Sequence, residues 1–107
     1  IATQMQRLVE GAGMGVVREF VGHGIGRELH TAPQVPNYAD DKTRKDGDFT
    51  LEPGMVFCIE PMVNQGTAKV RTLADKWTVV TADGKLSAHY EHTVAITKDG
   101  PLILTLP

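Results

Sequence analysis

Two short runs of apolar and β-branched residues each contain one glutamate, and these runs constrain the fold more than any other feature of the chain. They are Met55-Val-Phe-Cys-Ile-Glu-Pro-Met62 and Ser87-Ala-His-Tyr-Glu-His-Thr-Val-Ala-Ile96. Runs of this length and composition predict β-strands that are covered on both faces. An ionised carboxylate is retained in such a strand when a cation, a metal or several donors compensate its charge. Glu60 and Glu91 are therefore the first candidates for a functional site.

The alternation of side chains along a strand predicts which residues accompany each glutamate. Glu60 shares a face with Val56, Cys58 and Met62, and Glu91 shares a face with His89, Thr93 and Ala95. If both faces are interior, the two acids converge on one buried site. A lone glutamate in a strand more often forms a structural ion pair with Lys or Arg. Two such acids together with a glycine-flanked histidine favour a functional site.

That histidine is His23, in the segment Val21-Gly-His-Gly-Ile-Gly-Arg27. Glycines on both sides remove Cβ atoms, so other groups can approach the backbone closely. The segment lacks the lysine of a phosphate-binding P-loop, and its glycine spacing does not match the dinucleotide-binding motif. One imidazole that faces two carboxylates is instead a mixed nitrogen and oxygen ligand set. Such a set suits Mn, Fe, Co or Zn ions in hydrolytic enzymes.

Four motifs follow one another in a characteristic order along the chain. They are Gly22-His-Gly-Ile-Gly26, then His30 with Pro33, then Ile59-Glu-Pro-Met62, then Tyr90-Glu-His-Thr93. This order resembles the second half of the methionine aminopeptidases of the shorter, bacterial and organellar type. The similarity runs from about Gly22 to Leu106 and implies the C-terminal half of the antiparallel pita-bread fold. Prolidases and proline aminopeptidases share the Gly-His and Glu-Pro elements but are less similar at Glu-Pro-Met and Tyr-Glu-His-Thr.

The resemblance implies a chemical role for the residues that match the family's site. His23 and Glu60 would bind one ion of a metal pair, and Glu91 would bridge both ions. Glu60 would also take the proton from the attacking water. His30 would hydrogen-bond the scissile amide and the developing oxyanion without binding metal. The cofactor would be two divalent ions, drawn from Co, Mn, Fe, Zn and Ni.

Two further positions match the family's pocket for the methionine side chain. Trp77 corresponds to an aromatic residue that borders this pocket. Leu29 stands where family members often have an aromatic pocket residue. The substrates implied are nascent peptides or proteins with an N-terminal methionine, which the enzyme removes, and the resemblance also allows association with the ribosome.

Two alternative functions stay open at this point. One is a proline-related aminopeptidase or dipeptidase of the same fold, and the other is a non-catalytic pita-bread binding module. Relatives that have lost catalysis typically lose metal ligands, whereas His23, Glu60 and Glu91 are all present in this chain. Hydrolysis is therefore favoured over binding alone.

The site implied by the resemblance is incomplete within these residues. The family supplies two aspartates, eleven positions apart, on an upstream hairpin, and no two aspartates in this chain have that spacing. A further catalytic histidine of the family also lies upstream. Residues 1–107 are therefore interpreted as the C-terminal part of one metallopeptidase catalytic domain, with the upstream half absent. The 107-residue chain alone is expected to be inactive.

Composition excludes several other classes of protein. A net charge of −2 provides no electrostatic basis for binding nucleic acid or anionic membranes. No apolar run approaches the length of a membrane span, and the one cysteine, Cys58, cannot form an internal disulfide. The chain begins at Ile1 without a signal peptide, so a cytoplasmic setting is expected.

The remaining sequence predicts an α+β fold with one helix followed by antiparallel strands. Residues 1–13 have helical propensity but no capping residue at the start. A strand is predicted at Val16–Val21, leading into a loop at His23. Pro33, Pro36 and the charged residues 40–48 predict a long, irregular surface connection.

Turn signals then divide the second half of the chain into an antiparallel meander. Glu52-Pro-Gly54 predicts a type II turn before the Glu60 strand. Asp83-Gly84 and Asp99-Gly100 are hairpin signals. They separate predicted strands at Trp77–Thr81, Leu86–Lys98 and Leu102–Leu106.

Three other polar residues near the glutamates are assigned structural roles. His89 shares the face of Glu91, but the family has variable polar residues there, which argues against a ligand role. His92 points to the opposite face, where a histidine typically satisfies a buried hydrogen bond. Cys58 has no evident base partner in the sequence and is interpreted as a small buried residue.

Overall fold

The computed structural model describes residues 1–46 and 48–107, and within these ranges the chain forms two helices and ten strands. The helices are α1 (Ala2–Gly11) and α2 (Asp41–Asp46). The strands are β1 (Gly15–Val16), β2 (Gly22–Gly24), β3 (Thr31–Val35), β4 (Val56–Ile59), β5 (Met62–Asn64), β6 (Val70–Thr72), β7 (Val79–Thr81), β8 (Ser87–His89), β9 (His92–Thr97) and β10 (Gly100–Ile103). Across the described part of the chain, no helix has the length and apolar character needed to cross a bilayer.

The strands of these ranges form three sheets, and all pairings are antiparallel. The largest sheet has the order β10-β9-β4-β2-β3, a second has the order β1-β5-β8, and β6 pairs with β7. The predicted α+β class with antiparallel strands is confirmed. The simple meander is wrong, because β9 pairs with β4 across a long stretch of sequence as well as with its neighbour β10.

The core lies against the middle of the five-stranded sheet. Phe57 on β4, Val35 on β3 and Val94 on β9 are buried together, and Phe49, Met55, Ile59 and Ile96 pack around them. Burial of each large apolar side chain contributes about 1.5–3 kcal/mol. This packing fixes β4, the strand that leads directly to Glu60.

Two of the three predicted turns have the expected form. At Glu52-Pro-Gly54, the amide of Met55 donates to the carbonyl of Glu52 at 3.1 Å and Gly54 has a φ of 100°, as a type II turn requires. β9 and β10 form the hairpin predicted at Asp99-Gly100. The hairpin predicted at Asp83-Gly84 is wrong, because the flanking strands β7 and β8 pair with β6 and β5 instead.

The first strand prediction was too long. The predicted helix is confirmed as α1, and Ile1 provides no side-chain cap. Of the strand predicted at Val16–Val21, only Val16 lies in β1. Arg18 and Glu19 interrupt the apolar run and are exposed, and the guanidinium of Arg18 lies over the Tyr38 ring at 5.4 Å.

The connection predicted to be irregular contains two elements. β3 includes Pro33, which has no backbone N–H to donate. The sheet tolerates it because β3 is an edge strand and is hydrogen-bonded to a neighbour on one side only. α2 begins after Asp40, whose carboxylate accepts a hydrogen bond from the amide of Thr43 at 2.7 Å, while the Thr43 hydroxyl accepts one from the Asp40 amide at 2.7 Å. This reciprocal capping stabilises a short helix that its composition did not indicate. Gly47, in the same predicted connection, lies outside the described residues.

Candidate metal centre

Glu60 and Glu91 lie where two neighbouring strands pass together from one sheet to another. The chain leaves β4 and enters β5 across residues 60–61, and it leaves β8 and enters β9 across residues 90–91. The strand partners on either side of this break are Ile59 with His92 and Met62 with His89. The register is the same on both sides, so Glu60 lies directly opposite Glu91. The backbone register thus brings the two acids side by side, but not into the common buried site that the sequence predicted, because Glu91 is exposed.

Two carboxylates opposite one another on adjacent strands repel each other. The strands nevertheless stay paired through the break, where the amide of Tyr90 donates to the carbonyl of Pro61 at 3.3 Å. A positive charge between or beside the two carboxylates would offset this repulsion. The neighbouring groups that provide nitrogen atoms are histidines.

His23 reaches this position from β2, between β3 and β4. The sequence placed it in a loop, and this was wrong, because both flanking glycines belong to the strand. A Cβ atom at Gly22 would collide with the carbonyl oxygen of Cys58, and one at Gly24 with the carbonyl oxygen of Ala32. The glycines therefore let two neighbouring backbones approach β2 closely, which is the close approach that the sequence predicted.

The hydrogen bonds of His23 leave one ring nitrogen free to bind a cation. Nδ1 lies 2.9 Å from the carbonyl oxygen of Gly24, and because a carbonyl only accepts, Nδ1 carries a proton. Nε2 lies 3.2 Å from Oε1 of Glu60. In the neutral ring, the lone pair of Nε2 therefore faces a carboxylate oxygen, and a proton or a metal ion between them removes the repulsion. The donor set fits a divalent metal ion.

Glu60 also contacts a histidine to which the sequence assigned no part in the site. Its second oxygen, Oε2, lies 3.2 Å from Nε2 of the half-exposed His89. His89 is paired with Met62 on the strand next to it, two residues beyond Glu60. The sequence did contain a pattern that pointed to His89, because His89 and Glu91 share a face of their strand. It was outweighed by the expectation that this position varies in the family.

Burial differs sharply between the two glutamates. The side chain of Glu60 is only 13% exposed and that of His23 only 15% exposed. Glu91 is exposed, so the prediction that both acids are buried was wrong for Glu91. The reason is that its run is divided between two sheets, and the chain at Tyr90 and Glu91 lies at the junction rather than in a covered strand.

Cys58 is buried, at 1% exposure, as predicted, but it lies against the same centre. Its Sγ atom, a ring nitrogen of His23 and a carboxylate oxygen of Glu91 all lie within 4.8 Å of one another. Sγ is also 3.7 Å from the hydroxyl of Thr93, its partner across the strands. Burial raises the pKa of the Cys58 thiol, and the neighbouring Glu91 carboxylate raises it further.

His30 lies beside the centre, on the wall of an open cleft. Its ring centroid is 4.2 Å from that of His23, with the planes tilted by 56°. A cleft of about 470 Å³ is lined by both histidines together with Glu60, Phe20, Gln34 and Met62. A ligand in this cleft would touch His30 and Glu60 at the same time.

The two residues predicted to border the substrate pocket lie at the periphery. Trp77 is 87% exposed near the tip of the β6–β7 hairpin, and Leu29 is 67% exposed in the loop between β2 and β3. Neither lines the cleft beside His30. Their role in a pocket stays a prediction. His92 makes a hydrogen bond, with Nδ1 2.8 Å from the hydroxyl of Thr105, but this bond is exposed rather than buried as predicted.

Comparison with known proteins identifies the family to which the chain belongs. The sequence model of metallopeptidase family M24 matches residues 1–98. A methionine aminopeptidase of Clostridium perfringens is 58% identical over 106 residues, which are 99% of this chain and 41% of that protein. Methionine aminopeptidase 1 of Bacillus subtilis is 53% identical over 105 residues, covering 98% of this chain and 41% of that protein.

A solved structure supports the same relationship. The crystal structure of methionine aminopeptidase from Thermotoga maritima superposes with a TM-score of 0.86 at 47% identity, over 96% of this chain and 40% of that one. This chain thus spans about 40% of the length of the relatives it matches. The resemblance to methionine aminopeptidases and the pita-bread architecture are both confirmed. The chain belongs to metallopeptidase family M24, a family of enzymes that use divalent metal ions.

Proposed function

We propose that the protein to which this chain contributes removes the N-terminal methionine from nascent peptides and proteins, and that residues 1–107 are the C-terminal part of its catalytic domain. One observation carries the proposal. His23, Glu60 and Glu91 lie together at the point where two paired strands pass from one sheet to the next without a change of register. The identity of 58% to a methionine aminopeptidase supports the choice of substrate.

The proposed cofactor is a pair of divalent ions, chosen from Co, Mn, Fe, Zn and Ni. His23 and Glu60 would hold one ion, and Glu91 would bridge the two. When bound, the ions would polarise the scissile carbonyl and make water more acidic. Two aspartates from outside these 107 residues would complete the ligand set.

Glu60 is the proposed general base. Its carboxylate is largely withdrawn from solvent, with one oxygen 3.2 Å from Nε2 of His23 and the other 3.2 Å from Nε2 of His89. A carboxylate that lines the cleft and is held in one position can accept the proton of the attacking water without first reorganising.

His30 is the proposed electrophile. It stands beside His23 on the cleft wall and is exposed, so a peptide carbonyl in the cleft could accept a hydrogen bond from its ring. Such a donor stabilises the negative charge that develops on the oxygen during attack.

Trp77 and Leu29 would border the methionine side chain. Nascent chains as substrates would place the enzyme in the cytoplasm, near the ribosome.

A small set of peptides tests the proposal in the complete, metal-loaded enzyme. We expect release of methionine from Met-Ala and little or no cleavage of Ala-Pro and Leu-Gly. Preference for Ala-Pro would make the protein a proline-related peptidase. Absence of any cleavage by a folded, metal-loaded protein would make it a binding module.

A further inference from the structure

The proposed chemistry uses no thiol, yet the one cysteine of the chain is buried at the metal centre. Cys58 lies on β4, two residues before Glu60, on the face that both acids share. A buried thiol can serve simply as a small apolar residue. The surroundings of Cys58 contain more than apolar groups, because a nitrogen of His23 and an oxygen of Glu91 lie within 4.8 Å of its sulfur and of each other.

The three donor atoms are close enough to share one ion. Metal–ligand bonds of about 2.0–2.3 Å place the ligand atoms of a tetrahedral site roughly 3–4 Å apart. Donors within 4.8 Å of one another can therefore reach a common ion through small side-chain movements. Their backbones are held by adjacent strands, since β4 lies between β2 and β9 in the sheet.

One ring nitrogen of His23 carries no proton in the neutral ring and can therefore bind this ion. The Nδ1 proton of His23 is committed to the carbonyl of Gly24, so Nε2 is the ligand atom of the neutral ring. Both oxygens of Glu60 already contact imidazole nitrogens. An ion held by Nε2 of His23, Cys58 and Glu91 would replace the contact between His23 and Oε1 of Glu60 and would leave the contact between Oε2 and His89 in place.

We propose that Cys58 is a metal ligand that, together with His23 and Glu91, makes this part of the centre selective for thiophilic ions such as Zn²⁺ and Cd²⁺ over Mn²⁺. One nitrogen, one sulfur and one oxygen donor form a set of the kind that Zn²⁺ and softer ions prefer, whereas Mn²⁺ prefers oxygen. On coordination, a metal–sulfur bond replaces the S–H bond and the proton leaves to the buffer. The inference rests on the proposed metal-binding role of His23 and Glu91.

Cobalt spectroscopy of the 107-residue chain tests the sulfur bond directly. We expect Co²⁺, added in the absence of oxygen and of competing thiols, to produce a near-ultraviolet sulfur-to-cobalt charge-transfer band. The band should disappear in Cys58→Ser, which keeps the size of the side chain. It should also be lost or strongly weakened in His23→Ala and Glu91→Gln.

A competition between Cd²⁺ and Mn²⁺ provides a second measurement. Cys58→Ser should weaken Cd²⁺ binding at least about tenfold and change Mn²⁺ binding by no more than about threefold. Cys58→Ala serves as the second variant, because an apolar residue preserves burial if serine disturbs the strand. Equal losses for both ions would show that Cys58 only supports the strand, and would overturn the proposal.

The remaining outcomes also decide the matter. Bound Co²⁺ without a charge-transfer band would make Cys58 a packing residue, and failure to bind Co²⁺ at all would exclude the site. A band that persists in His23→Ala and Glu91→Gln would show an isolated thiol binding metal on its own. None of these readouts depends on peptide cleavage, so failure of the aminopeptidase proposal would be seen separately.

Discussion

The centre and the periphery of the proposed substrate site are built in different ways. His23 and Glu60 stand on or directly after strands of the five-stranded sheet and are mostly withdrawn from solvent. Trp77 and Leu29 stand near a hairpin tip and in a loop, with most of their side chains exposed. The strand ladder determines where the first pair lies, whereas the side chains of the second pair project into solvent with little packing against them.

Catalysis and substrate binding place different requirements on the structure. Acid–base chemistry requires groups held at fixed separations, which a continuous strand register provides. A pocket for an apolar side chain requires surface that closes around the ligand, and such a surface can be completed by residues elsewhere. We therefore expect substitutions at the centre to act on turnover and substitutions at the periphery to act on substrate affinity.

The largest effect is expected from Glu60→Gln in the complete enzyme. The amide keeps the size of the side chain but cannot accept the proton, so kcat should fall about 10²–10⁴-fold with the fold retained. The matched control is Glu52→Gln, because Glu52 is exposed in the turn before β4. Activity of Glu60→Gln within a few-fold of the wild type would rule out Glu60 as the base.

A somewhat smaller effect is expected from His30→Ala. Loss of one donor to the oxyanion should reduce kcat by about 10²-fold. Bound metal, measured by elemental analysis, should stay unchanged, because His30 lies beside His23 rather than among the ligands. A parallel loss of metal would make His30 a ligand and would overturn its assigned role.

At the periphery, Trp77→Ala should act on affinity. Loss of apolar contact with the methionine side chain should raise KM for Met-Ala by about three- to tenfold, which corresponds to about 1 kcal/mol, and should leave kcat within about twofold. Leu8→Ala is the control, since Leu8 is an exposed apolar residue on α1. An unchanged KM would remove Trp77 from the pocket.

The smallest effect concerns the hairpin that carries Trp77. The Asp75 carboxylate accepts hydrogen bonds from the amides of Trp77 and Thr78 at 3.0 and 2.9 Å and from the Thr78 hydroxyl at 2.6 Å. The Thr78 side chain and these amides hold the pKa of Asp75 below its usual value of 3.8. The stabilisation is therefore complete above pH 3.8 and is lost as the pH falls through the lower, folded-state pKa.

Fluorescence of Trp77, the one tryptophan of the chain, measures this titration. We expect an emission change on acidification below pH 3.8 in the wild type. In Asp75→Asn, the hairpin tip should already be altered at neutral pH, and that acid transition should be absent. The same acid transition in both proteins would assign it to other carboxyl groups.

The arrangement of the two acids could be predicted from the sequence because it depends on a strict period. Side chains alternate along a strand, and so the glutamates had to fall on defined faces of their runs. The glycines around His23 likewise indicated close approach, which the contacts at Gly22 confirm. Both inferences rest on backbone geometry: the alternation of side chains along a strand, and the space that glycine leaves for a neighbouring chain.

Other features depended on tertiary context that no local pattern contains. An apolar run does not reveal that it is shared between two sheets, and so the exposure of Glu91 was missed. The contact of His89 with Glu60 depends on the same break. The short helix α2 depends on reciprocal hydrogen bonds between Asp40 and Thr43, in a stretch whose charge suggested an irregular loop.

The central claim is that these residues form one part of a dinuclear metal centre. The most direct test is the number of divalent ions bound by the purified 107-residue chain, measured with Mn²⁺ alongside its activity on Met-Ala. We predict at most one weakly bound ion, lost in His23→Ala, and no turnover until a segment that carries the two proposed aspartates is added in trans. Two tightly bound ions, or turnover by the chain alone, would contradict the claim.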